Sequence, residues 1–319
     1  MTTTPGAPDA QPPLEPENAR TVAEATAGLA DDSAGLWRQA FTRMRRNPIA
    51  IIGAVIVLLF VLVALFAPLL APYPAGAVPG RDLVRPTMIP GPSSEYLLGL
   101  DRFGSDVLSQ LIWGARASLI IGVASTLIGL LGGVALGLLA GAFSGWVDTV
   151  TMRLVDLMLA IPSLLLAVSI AAVAGQNNMS IIIAIGVVQV PVFARLLRGS
   201  MLAQRDQDYV LAARSLGLTR RTVTMSHVLP NSLGPVIVQA TLVLATAVIE
   251  AAALSFLGLG GGRPTDAEWG RMLTGAQAEL AIAPQLAFLP GICISITALG
   301  FTLLGESLRE ALDPRMRRR

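Results

Sequence analysis

Asp208 to Asn231 reads DYVLAARSLGLTRRTVTMSHVLPN, the one long polar and basic segment in the second half of an otherwise apolar chain. Its first part, about 205–218, fits a short amphipathic helix. Asp206 and Asp208 suit a helix N-terminus, where exposed N–H groups favour negative charge. Tyr209, Ala213 and Leu216 recur at helical spacing and share a face with Ala212. Gly217 follows as a left-handed stop. Ala212 and Ala213 leave room for another backbone or a groove wall to come close. Arg220, Arg221 and His227 come next, and Pro230-Asn231 opens the next apolar run.

The chain around this loop is that of a polytopic membrane protein. Apolar residues make up 53% and charged residues only 14%, a composition far from that of soluble domains. All 23 basic residues are arginine. A P-loop NTPase holds the terminal phosphates with a lysine, so a chain without lysine is not a Walker-type ATPase. Cys293 is the only cysteine and His227 the only histidine, which excludes an intrachain disulfide and a His-pair metal site. With no Gly-x-Ser-x-Gly either, nothing points to bond chemistry. The net charge of +2 is too small to suggest nucleic acid; the placement of the arginines is what informs.

Residues 1–33 are rich in Pro, Ala, Thr and acidic residues and read as a disordered tail. Trp37, Phe41 and Met44, interleaved with Arg38, Arg43, Arg45 and Arg46, make 34–48 an amphipathic surface segment. Ile49 to Leu70 is longer than a signal h-region and long enough to span a bilayer. Five further apolar runs follow, at about 117–142, 153–174, 180–199, 233–258 and 286–306. The arginines cluster before the first span, between the fourth and fifth, and in the tail 310–319. The long loop 71–116 balances its four arginines with acids, and Gly175 to Ser180 is uncharged. By the positive-inside rule both termini and the 208–231 loop are cytoplasmic, and 71–116 faces outward. The expected fold is all-α, with six transmembrane helices and a membrane domain over 117–309.

Within the spans, Gly129, Gly133, Gly137 and Gly141 form a small-residue stripe that suits close helix packing. Pro162 and Pro191 each free a carbonyl and permit a bend. Glu250 is a carboxylate well inside an apolar run, costly in lipid unless protonated, hydrogen-bonded or facing an aqueous cavity. It is the leading pathway candidate, with Asp156 and Ser255 beside it; the plainer alternative is a helix–helix hydrogen bond.

Four segments carry a family resemblance. Ala212, Ala213, Gly217, Leu229 and Pro230 stand at the offsets of the Glu-Ala-Ala loop of integral-membrane subunits of binding-protein-dependent ABC importers. Leu211 occupies the position of the Glu. Leu97 to Leu119 resembles the outer-loop pattern of the dipeptide/oligopeptide (nickel) branch, with Gly99, Asp101, Gly104, Asp106, Val107, Ser109, Gly114, Arg116, Ser118 and Leu119 matching; within it Asp101 to Gly104 reads as a turn, and Asp106 as the start of a helix leading into the second span. Ser255 to Gly260 and the ending Gly305 to Arg315 are similar to the same branch.

The resemblance implies a type I ABC importer permease in a bacterial plasma (inner) membrane. Its coupling helix would meet an ATPase through Asp208, Tyr209, Leu211, Ala212, Ala213, Arg214, Gly217 and Pro230. Two ATPase subunits using ATP and Mg, a second homologous permease, an extracytoplasmic solute-binding protein and membrane lipid are the implied partners; the chain itself would bind no cofactor and no metal. The cargo class it implies is peptides. A plain amphipathic connector on the membrane surface is the competing reading of the loop. For the chain, the competing reading is an ion-coupled secondary transporter, which calls for internal repeats and midplane charges. No convincing repeat is present.

Overall fold

The computed structural model describes residues 41–85, 88–143, 145–263 and 265–312. The expected tail at 1–33 and residues 313–319 of the expected tail at 310–319, with Trp37, Arg38 and the Asp313-Pro314-Arg315 ending, lie outside the described residues; residues 310–312 belong to the last helix. Among the described residues all regular structure is helical, apart from the isolated bridges Arg85–Met88 and Leu100–Asp106.

We number the principal helices α1 (Pro48–Leu65), α2 (Val107–Ala142), α3 (Trp146–Ala160), α4 (Ser163–Ala174), α5 (Asn178–Arg205), α6 (Asp208–Ser215), α7 (Arg220–Phe256), α8 (Trp269–Ala276) and α9 (Gln285–Leu312). Among these, α1, α2, α5, α7 and α9 are long and apolar enough to cross a membrane, and α3 with α4 supply a sixth crossing if counted as one broken span. The large side chains of α1 that stay exposed, such as Ile52, Val55, Leu58 and Leu59, are apolar, as a lipid-facing surface requires.

The helices run past the apolar stretches that announce them. α2 starts at Val107, ten residues before its apolar run, because Asp106 caps it: its Oδ2 accepts from Ser109 N at 2.8 Å and Ser109 Oγ at 2.7 Å. α7 starts at Arg220 rather than 233, capped by Thr219. Pro230 therefore opens no new helix. It lies inside α7, just after a π-helical turn at Thr224–Val228. Proline lacks an N–H and crowds the carbonyl one turn back, and a local π turn relieves that conflict. In the other direction, the first span stops at Leu65; Phe66 interrupts it before a short turn at Ala67–Leu70.

The third span differs most from expectation. The span expected over 153–174, with a bend permitted at Pro162, is broken outright into α3 and α4, at 93°. Ile161 (φ −92°, ψ 131°) and Pro162 (φ −53°, ψ 129°) are both extended, since the residue before a proline is pushed out of the helical region. Pro191, by contrast, is carried within the continuous α5.

The packing centre is the α2–α5 contact. A Cβ on Gly133 would lie 2.3 Å from Phe193 Cβ, one on Gly137 2.8 Å from Ala194 O, and one on Gly141 2.7 Å from Met201 Sδ. The glycine stripe thus receives the buried face Phe193, Ala194, Leu197 and Met201. Close backbone approach of this kind holds membrane helices together where lipid offers no hydrophobic drive. α9 crosses α1 in the same way, Gly53 against the Gly300 backbone. Trp269, fully buried, wedges between α2 and α1: its Nε1 donates to Leu111 O at 3.1 Å and its ring meets Phe60 edge-on.

Candidate functional site

The 208–231 loop folds as a compact bracket at one end of the bundle. α5 ends at Arg205, and Asp206 caps that end instead of starting the next helix. Asp208 alone stands in the first turn of α6. The end of α6 matches expectation in detail: Gly217 sits at φ +83°, its N–H donates to Arg214 O at 2.9 Å, and Leu218 N–H donates to Ala213 O at 3.3 Å. Those two bonds make a Schellman stop, which favours glycine at the left-handed position.

The inward face of α6 is not the one the spacing suggested. Val210 and Ala213 are buried, in a cluster with Met201, Val223 and Val228. Tyr209 only packs against its edge, its hydroxyl bonded to Gln204 Oε1 at 2.7 Å. Ala212 and Arg214 face outward, with Leu211 50% and Leu216 84% exposed. A spacing count sees apolar residues on several sides of this helix, and only the tertiary contacts choose which side is covered.

Two arginines whose placement the sequence did not reveal tie the bracket to α2. Arg220 Nη2 donates to Ala142 O at 2.7 Å, and Arg205 Nη1 to Gly141 O at 3.4 Å. They supply cations to the carbonyl-rich C-terminal end of α2. The bracket therefore touches α2 as well as α5 and α7.

The three pathway candidates do not converge. Ser255 is buried near the N-terminal end of α5, its neighbour Gly260 in a loop that touches Asn177 through Gly261. Asp156 pairs with Arg195 at 2.6 Å, and Arg195 lies about 27 Å along α5 from Asn177 at 1.5 Å per residue. Glu250, on α7, is half-buried, and its Oε2 is enclosed without a hydrogen-bond partner among the described residues.

The expected outer loop is built around its polar residues. Asp101 Oδ1 accepts from Phe103 N and Ser105 N, each at 2.8 Å, and Oδ2 accepts from Gln110 Nε2 at 2.7 Å. Burial pushes the Asp101 carboxyl above the usual range, against those donors, which pull it down. Gly99 and Gly104 have φ of +82° and +86°, and a Cβ on Gly104 would lie 2.5 Å from the Arg81 backbone. Arg116 is exposed, 5.9 Å from the Trp113 ring. These residues shape a cap. Sequence reasoning passed over Glu268, which is buried and caps α8 by accepting from Gly270 N and Arg271 N.

Residues 133–318, which include α6 and its bracket, match the family model described as binding-protein-dependent transport system inner membrane component. The chain belongs to this family. Residues 35–83 match a second model, the N-terminal TM domain of oligopeptide transport permease C. Among similar proteins are the dipeptide transport system permease protein DppC of Alkalihalophilus pseudofirmus, 42% identical over 88% of this chain and 90% of its own, and the glutathione transport system permease protein GsiD of Escherichia coli, 40% identical over 88% and 91%. Similar solved structures include an inward-facing MetNI methionine ABC transporter chain (TM-score 0.52, 18% identity, 63% of this chain and 96% of that one). An amino acid ABC transporter chain gives a TM-score of 0.51 at 18% identity, over 62% and 91%. These two show the fold.

As a member of the binding-protein-dependent family, the chain is a multi-pass inner-membrane permease subunit of an ABC importer. It is a non-catalytic transport component that works with a separate ATPase and a solute-binding protein. The ion-coupled alternative is set aside by the same match.

Proposed function

We propose that α6 is the coupling helix through which an ATPase subunit moves this permease, and that the cargo is short peptides. The observation that carries the first part is the outward face of α6, where Leu211, Ala212 and Leu216 stand exposed on a helix anchored from behind by Val210 and Ala213. Apolar side chains presented this way fit a groove in a partner. The arginine pattern supports a cytoplasmic position for this face and for both termini.

In this reading two ATPase subunits bind ATP and Mg, a second homologous permease completes the pathway, and the chain itself binds no cofactor. Closure of the ATPases pushes α6, and the bracket passes the motion to α2, α5 and α7. The cargo class rests on relatives whose names specify dipeptide and glutathione transport.

The test uses the importer copurified in mild detergent and reconstituted with its binding protein. Leu216→Glu should reduce ATPase copurification and ATP-driven uptake of a labelled dipeptide together. At Gly217, where a Cβ would meet nothing within 4 Å, only backbone strain opposes substitution, about 1–2 kcal/mol. Loss of coupled hydrolysis should therefore rank Val above Ala above Asn. Unchanged uptake in both series would overturn the coupling assignment.

A further inference from the structure

One face of α5 packs on the glycines of α2; the other lines an open groove. Val192, Arg195, Leu196, Gly199, Ser200 and Ala203 recur at three- and four-residue spacing and so form a single stripe. With Leu159 of α3 and Gln239 of α7 they line an open groove of about 670 Å3, within the range of small-molecule sites. Its walls are mostly apolar, with one cation. Ser200 and Gln239 make no side-chain hydrogen bond among the described residues.

Two ion pairs join α3 to α5, and they differ in kind. Arg198 holds Asp148 with Nε at 2.5 Å and Nη2 at 2.7 Å, and the side chains are only 31% and 19% exposed. That pair is bidentate and closed. Arg195 touches Asp156 through Nη2 alone, at 2.6 Å, with 55% and 50% exposure. Its Nε and Nη1 have no acceptor among the described residues. A guanidinium carries five N–H donors in a fork that matches a carboxylate or phosphate.

We propose that this groove is a transit site for an anionic group, with Arg195 as the recognising cation, Gln239 and Ser200 as neutral hydrogen-bonding partners, and Asp156 as an exchangeable counter-ion. The ligand is a carboxylate-bearing small solute with an apolar body, and, on the cargo reading above, the C-terminus of a short peptide. Arg195 belongs to a helix long and apolar enough to cross a membrane, where an arginine pairs with a counter-ion. Asp156 supplies one when the groove is empty and yields to the solute's carboxylate when it is occupied. The exchange trades one ion pair for another, so binding is weak enough for release. An anionic lipid headgroup presents the same chemistry and would occupy the same fork.

The experiment places a reporter thiol at Ala203 (Ala203→Cys, with Cys293→Ser) in the copurified importer, without binding protein, in nanodiscs of phosphatidylcholine. Labelling by a water-soluble maleimide is followed with alanyl-alanine and with its C-terminal amide. Alanyl-alanine should slow labelling several-fold and the amide should not. The protection should vanish in Arg195→Gln, persist in part in Arg195→Lys, and weaken in Gln239→Leu. Adding phosphatidylglycerol tests the lipid source. Protection by that lipid alone, lost in Arg195→Gln, assigns the fork to a headgroup. No protection by either, or protection indifferent to both Arg195→Gln and Gln239→Leu, overturns the site. Copurification, and ATP-dependent uptake by the same variants reconstituted into liposomes with binding protein, test the permease reading separately; their loss would sink that reading and leave the labelling result standing.

Discussion

Arg198 grips both carboxylate oxygens of Asp148, at 2.5 and 2.7 Å, and so pins the first half of a broken span to the helix that leads into the 208–231 bracket. The 93° bend at Pro162 leaves α3 and α4 without a shared helical ladder. Side-chain contacts with α2 and α5 hold α3 in place.

The strength of that contact is measurable. Removing one partner of a buried pair costs about 3–5 kcal/mol and an exposed pair contributes about 0–1. This half-buried pair falls between, so Asp148→Ala should destabilise by about 1–3 kcal/mol. Thermal unfolding in detergent should show the loss, and a double Asp148→Leu, Arg198→Leu variant should recover most of it. A single variant as stable as the parent would show that α3 is held by its apolar contacts alone.

The glycines of α2 and α5 make a controlled comparison. A Cβ on Gly133 meets Phe193 Cβ at 2.3 Å and Val190 O at 2.8 Å, whereas one on Gly199 meets nothing within 4 Å. Gly133→Ala should cost about 1–3 kcal/mol by overpacking and lower the melting temperature. Gly199→Ala should leave it unchanged or slightly raised, because alanine is the better helix former. Equal effects at the two positions would refute the packing assigned to the stripe.

Glu250 tests the pathway. In a Cys293→Ser background, Glu250→Cys should react with a membrane-impermeant thiol reagent in one nucleotide state of the importer and be protected in the other. Protection in every state would place the residue in a permanent helix–helix contact, in keeping with its enclosed Oε2.

Helix count, the Asp106 start of α2 and the Gly217 stop of α6 were legible because each rests on local chemistry: an apolar run, a capping carboxylate, a residue that accepts positive φ. The glycine stripe was legible too, since four-residue spacing fixes one face whatever packs on it. The ends of the helices were less so. Hydropathy marks where a chain meets lipid, but backbone hydrogen bonds continue until a cap or a proline stops them. For that reason α2 and α7 each begin well before their apolar runs.

By itself, then, the sequence determined an all-helical membrane protein, its family, and the one long basic loop in the second half of the chain. Only the tertiary structure decided that the third span breaks, that α6 turns Val210 inward and Leu216 outward, and that Asp156 answers to Arg195 while Ser255 lies at the other end of α5. Local patterns record what one segment prefers. Which of several apolar faces is covered, and which carboxylate meets which arginine, depends on segments far apart in the chain arriving together, with Asp148 and Arg198 fifty residues apart.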